Sequence, residues 1–314
     1  MAPSPNLLGP QRFSVTLRRT FNLTDRRPGD RVRLRLPLPL EDSALGDLQS
    51  RYLAPADMAL PAAVGPARLD AMVEVPACGE VAMGINATFT ALPLLTATSL
   101  LDLNRTEVEL YTRPNEGLIK VSDKVAALAT KLASKECDPI EIMRRYWAFM
   151  LDEFSFGVLH HDELDPARPV DWALEHGWYD CQVGSAFLVA LCRARGLPAR
   201  MVSGYTLYPT APGFHSWLEV WIEGRGWVPF DLVNWDLSAG GRDEGWRDYF
   251  FGQIDHRMVV HRPPRLFSGP GSVRLPDAWH LLVALEESGT TIALHAVDTG
   301  ALVFRDHIEV KRLD

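Results

Sequence analysis

The stretch from Cys181 to Arg195 constrains this chain most. It is apolar nearly all round, with Val183, Ala186, Phe187, Leu188, Val189, Ala190 and Leu191, and it contains no proline. A helix that is hydrophobic on every side has to be surrounded, so the segment predicts a central helix buried by the rest of the fold. Asp180 suits its N-cap, and Gly196 with Pro198 beyond it marks the end. Strand-like segments follow at about 199–208, 215–223 and 226–231, and Glu223-Gly224-Arg225-Gly226 forms a turn between the last two. A buried helix feeding short neighbouring strands predicts an α+β core.

Two further helices are expected upstream. One begins at Ser122-Asp123 and runs to about 135; the other begins at Asp138-Pro139 and puts Ile142, Tyr146, Phe149 and Met150 on one face. Before them, residues 12–40 alternate apolar and polar, as in Arg31-Val32-Arg33-Leu34-Arg35-Leu36, which is the period of a half-buried strand. Similar short strands are read near 68–75, 81–92 and 105–112. The tail from 278 to 310 reads as three more strands, with Asp298-Thr299-Gly300 as a hairpin turn. The 314 residues exceed an ordinary domain of about 150. The expected division is an N-terminal β domain at 11–115, a catalytic core at 116–265 and a C-terminal β-hairpin extension at 266–314.

The chemistry sits in the order Cys181, His215, Asp231. A thiol must lose its proton to attack a carbonyl, and a histidine beside it can hold that proton and return it to the leaving group. Cys181 opens the helix, where unpaired N–H groups and the dipole are expected to favour thiolate. His215 leads the strand His215-Ser216-Trp217-Leu218-Glu219-Val220, and Asp231 ends Trp227-Val228-Pro229-Phe230-Asp231. Paired strands would bring the two side by side, with Asp231 orienting the imidazole; its bland alternative is a cap on the turn at Leu232-Val233. Cys192 lies about three turns further along the helix and reads as core. Adjacent His160-His161-Asp162-Glu163 lacks the spacing of a metal site, so neither metal nor cofactor is expected.

This constellation resembles the core of the transglutaminase-like superfamily, with Gly177-Trp178-Tyr179-Asp180-Cys181, Phe214-His215-Ser216-Trp217 and Trp227-Val228-Pro229-Phe230-Asp231 as the matching segments. The likeness extends over roughly 120–262, including Tyr249-Phe250-Phe251-Gly252-Gln253-Ile254-Asp255-His256-Arg257. It implies a papain-like fold in which the helix bearing the nucleophile packs on an antiparallel sheet. It also implies a Cys-His-Asp triad that cleaves or transfers amide-type acyl groups through a thioester. The backbone N–H of Cys181 would be one oxyanion donor, with Gln182, Trp178 and Tyr205 competing to be the second. Many relatives have glycine where this chain has Tyr179, so Tyr179 is expected to narrow the cleft and favour a small molecule or short peptide over a folded protein. The CxxC pairs of peptide N-glycanases, a branch of the same superfamily, are absent.

A net charge of −8 argues against nucleic acid or an anionic membrane surface as partner. No segment approaches the roughly 18 apolar residues of a membrane span, and four scattered cysteines fit a reducing compartment, so a cytoplasmic location is expected. The oligomeric state is not legible. Two other readings stay open: the same thiolate serving non-hydrolytic chemistry on a small carbonyl metabolite, and a binding module that keeps the triad without turnover.

Overall fold

The computed structural model describes residues 8–40, 44–53, 68–96, 102–157, 159, 164–165, 168–233, 244–262 and 303–313. The chain begins with five strands: β1 (Gln11–Asn22), β2 (Arg31–Pro37), β3 (Leu45–Leu53), β4 (Arg68–Glu74) and β5 (Glu80–Ala91). The alternation in β1 turns Phe13, Val15, Leu17 and Phe21 inward. β1 pairs antiparallel with β5, which pairs with β3. A Cβ at Gly84 would fall 2.3 Å from the Leu17 carbonyl oxygen, so only glycine allows this close pairing. β2 and β4 form a separate two-stranded sheet that adds Leu34, Leu36 and Val73 to the same core.

The short β6 (Pro93–Leu95) leads to α1 (Arg105–Thr112), where a strand was expected. The Asn104 side chain accepts from the Glu107 N–H and Glu107 accepts from the Asn104 N–H; this capping box commits the segment to helix. After the small hairpin β7 (Asn115–Glu116) and β8 (Ile119–Lys120) come α2 (Asp123–Ala133) and α3 (Pro139–Glu153). Both start where the sequence places them, capped by Ser122 and Asp138. β9 (Ser155–Phe156), α4 (Pro169–His176) and β10 (Trp178–Tyr179) then precede α5 (Cys181–Ala194). Every residue of α5 from Gln182 to Arg193 is buried, as its apolar circumference requires.

A five-stranded sheet lies against α5. It is built from β11 (Ala199–Thr206), β12 (Phe214–Ile222), β13 (Gly226–Phe230) and β14 (Gln253–His261), in the order β13-β12-β11-β14-β6. Met201, Leu218, Val220, Ile222 and Val228 share a core with the helices. Tyr205, Leu207, Met258 and Val260 join the core of the N-terminal sheet instead.

The chain closes on its beginning. β15 (Val303–Leu313) pairs with β1 along its whole length, from Arg12↔Leu313 to Asn22↔Val303. Arg19, placed in the apolar row of β1 and 1% exposed, forms a forked pair with Asp306, both contacts at 2.7 Å. Asp306 also accepts the Tyr205 hydroxyl at 3.0 Å, which ties the first strand, the last strand and the central sheet together. The pairing of β6 with β14 and the packing of Tyr111 on Trp227 attach β6 and α1 to the central sheet rather than to the N-terminal unit, in which they were expected. The expected 266–314 extension is described only over 303–313; the Asp298-Thr299-Gly300 turn lies outside the described residues.

Candidate active site

Local pairing sets the position of Cys181. β9 and β10 are parallel, and the Gly157 N–H donates to the Tyr179 carbonyl at 3.0 Å, which pins the chain just before the helix. Asp180 is extended, with φ −101° and ψ −178°, and its Oδ1 accepts the N–H groups of Gln182 at 3.0 Å and Val183 at 2.8 Å. The Ser185 hydroxyl donates to the Cys181 carbonyl at 2.6 Å and approaches the Ser216 carbonyl at 3.3 Å, joining the first turn of α5 to β12.

The Cys181 residue is partly exposed, but its thiol is pushed well above the usual thiol range. Burial is the main cause, and the charges of Asp180 and Asp231 add to it; the N–H groups of Ser216 and of Cys181 itself oppose it. The expectation that the helix N-terminus favours thiolate is therefore not met. The cap that satisfies the helix N–H groups is itself an anion next to the sulfur, and it offsets the dipole.

His215 and Asp231 come together as their strands predict. His215 Nε2 lies 2.9 Å and 2.8 Å from the two carboxylate oxygens of Asp231, with both residues buried. Since Nε2 is taken, Nδ1 is the nitrogen left to exchange a proton. The Ser216 N–H reaches the Cys181 sulfur, so the residue following His215 lies beside the thiol. Asp231 also caps the next turn, accepting the Val233 N–H at 3.1 Å. Burial alone would raise the Asp231 carboxyl, but His215 and then Arg257 more than offset this and hold it below the usual carboxylate range. The Arg257 guanidinium, itself buried, lies 3.3 Å from Asp231 Oδ2 and also pairs with Asp255. The Trp217 ring lies nearly parallel to the His215 ring, with centroids 6.3 Å apart.

The other candidates separate clearly. Tyr205 is fully buried and its hydroxyl is given to Asp306, so it is no oxyanion donor. Tyr179 is 1% exposed and packs its ring against Phe154, Phe156 and Gly184; it belongs to the helical core and does not roof a cleft. Trp178 remains at the surface, 39% exposed, with its indole across Gly157, where a Cβ would meet the ring at 2.4 Å. Gln182 is buried on the first turn of α5, and its Oε1 has no partner among the described residues. The sequence reading missed Ser185, Ser216 and Arg257. The only trace of Arg257 was its place in Asp255-His256-Arg257, a short charged run within a strand. His160 to Glu163 lie outside the described residues.

A cavity of about 180 Å³ is bordered by Phe13, Leu207, Tyr208, Pro209, Asp255, His256 and Arg312; Cys181, His215 and Asp231 do not line it. Among the described residues, no helix is long and apolar enough to cross a membrane.

Residues 126–232 match the profile of the transglutaminase-like superfamily, a span that runs from α2 to just past Asp231. No curated protein matches the chain. Among solved structures, a candidate cysteine protease from Cytophaga hutchinsonii is similar over 98% of this chain and 92% of its own, with 15% identity and a TM-score of 0.58. The periplasmic domain of TgpA from Pseudomonas aeruginosa aligns over 76% of this chain and 91% of its own, with 16% identity and a TM-score of 0.41.

Proposed function

We infer that this chain, whose residues 126–232 form a transglutaminase-like core, is a cysteine-dependent acyl enzyme acting on an amide-type acyl group. The observation that carries the reading is the buried His215–Asp231 contact at 2.8 Å, adjacent in sequence to Ser216, whose N–H reaches the Cys181 sulfur at the start of α5. The Cys181 proton passes to His215 Nδ1 as the sulfur attacks the carbonyl carbon. The C–N bond then breaks, the departing amine takes the proton from the imidazolium, and a Cys181 thioester remains. Water or a second amine, deprotonated by His215, attacks the thioester and returns the proton to sulfur. Asp231 stays ionised throughout and holds the imidazole orientation.

The Cys181 N–H is the first oxyanion donor. Gln182 and Trp178 remain as candidates for the second. The donor is a small molecule or short peptide: His215 is 5% exposed and Cys181 only partly so, which suits a narrow acyl group rather than a folded surface. The C. hutchinsonii neighbour, with its protease description, agrees with amide chemistry.

The test is a panel of short amides and peptides, with and without an added primary amine, assayed beside a casein-like protein. We expect turnover of short donors that disappears in Cys181→Ala. Turnover surviving that substitution, or a protein substrate preferred to every short amide, overturns the reading.

A further inference from the structure

We propose that Arg257 is the positioning residue of this site: its guanidinium bridges Asp231 and Asp255, fixes the orientation of Asp231, and tunes how tightly the His215–Asp231 pair holds its proton. This rests on reading Cys181, His215 and Asp231 as a triad.

The argument begins with burial. The side chain of Arg257 is fully buried on β14, and a cation there requires anions around it. It has two, on different elements. Nη2 lies 3.3 Å from Asp231 Oδ2, at the end of β13, and Nη1 pairs with Asp255 Oδ1 on its own strand and donates to the His256 carbonyl at 3.1 Å. The rings of Tyr208 and Phe250 both lie near the guanidinium carbon, each centroid 5.2 Å away. Asp255 is held in turn by the Tyr208 hydroxyl at 2.8 Å. A planar group so confined, with two carboxylates to span, is a task for arginine rather than lysine.

The charges acting on Asp231 can be named by element. His215 approaches from β12, Arg257 from β14 with Asp255 behind it, Cys181 from α5, and Tyr208 from the loop after β11, with Tyr249 beyond Tyr208. Their signs give opposing expectations. Removing the guanidinium takes a positive charge from beside the His215–Asp231 pair, so the pair binds its proton more tightly, whichever partner holds it. Neutralising Asp255 leaves the guanidinium shared with one carboxylate fewer, so the pair binds its proton less tightly.

The experiment titrates the His215 ring by NMR in full-length, histidine-labelled protein carrying Cys181→Ala, which removes the coupled thiol. Added to this parent, Arg257→Met should raise the apparent pKa of the pair by about one pH unit, and Asp255→Asn should lower it by about half a unit. Arg257→Lys, which keeps the charge, should stay near the parent. In enzyme with Cys181 intact, the acid limb of the kcat/KM profile should move in the same order. Loosened packing alone would move both substitutions the same way or neither. An Arg257→Met titration matching the parent, or an Asp255→Asn shift upward, overturns the proposal. If Arg257→Met does not fold, the Asp255→Asn direction still decides. The titration needs no substrate, so failure to find any turned-over donor would sink the acyl-enzyme reading while leaving this one testable.

Discussion

Gly184→Ala opposes two known effects at one position on α5. Within a helix, replacing glycine by alanine gains about 1 kcal/mol. Here the new Cβ would lie 2.5, 2.9 and 3.2 Å from atoms of the Tyr179 ring. Carbon–carbon contacts are most favourable at about 3.5–4.0 Å, so the ring would have to retreat by about 1 Å. It has little room: Tyr179 is 1% exposed, with Phe154 at 6.1 Å and Phe156 at 5.8 Å between centroids. Overpacking of this kind costs about 1–3 kcal/mol, which outweighs the helix gain and leaves a net loss of about 1 kcal/mol. Function should suffer more, because Tyr179 lies two residues before Cys181 and next to the Asp180 cap, which its displacement would move. Errors on the order of 1 Å cost up to about 100-fold in rate, so we expect kcat/KM to fall roughly tenfold. Urea denaturation and steady-state assays measure both, and Tyr179→Leu supplies the control: in that background Gly184→Ala should become neutral or stabilising. A higher denaturation midpoint for Gly184→Ala alone would refute the packing argument.

Asp180→Asn keeps a competent N-cap but removes the carboxylate that raises the Cys181 thiol. Iodoacetamide should then modify Cys181 about threefold to tenfold faster at neutral pH, and an unchanged or slower rate would contradict the assigned charge effect. Asp231, with its folded-state pKa depressed, contributes stability that is complete above the unfolded value of about 3.9 and is lost as pH falls through the lower folded value. The stability gap between wild type and Asp231→Asn should thus be widest at neutral pH and close below about pH 4 in chemical denaturation; a gap independent of pH would show that the carboxylate charge is not responsible. At pH 8 the exposed Cys78 and Cys137 should be labelled first, and Cys192, whose burial pushes it up to about 12, last. At pH 6, too, Cys181 should trail the two exposed thiols, as read by peptide mass spectrometry; a Cys181 that leads them would show that burial and Asp180 do not hold its thiol up.

The sequence by itself determined the elements whose causes are local. α5 is fixed by a circumference with no polar side to expose, α2 and α3 by their Ser122 and Asp138-Pro139 starts, and β1 by its two-residue alternation. Cys181, His215 and Asp231 stood out because they occupy marked places on those elements: the first residue of a helix, the head of one strand, and the position just past the strand beside it. α1 was also within reach, since Asn104 and Glu107 spell a capping box, but its apolar residues alternate enough to be read as a strand. Tertiary structure alone decided which face of each element meets which partner. A period of two says that Tyr205 and Phe214 point to definite sides of their strands, but not that the side of Tyr205 faces the N-terminal sheet and Asp306. The pairing of β15 with β1 joins opposite ends of the chain, and nothing local encodes it; the single trace is Arg19, a cation in an apolar row that needs a distant anion. Arg257 is the same case within the site. Its partner Asp231 is set by the approach of β14 to the end of β13, two strands that are not neighbours in the sheet, a long-range arrangement that no local preference along either segment specifies.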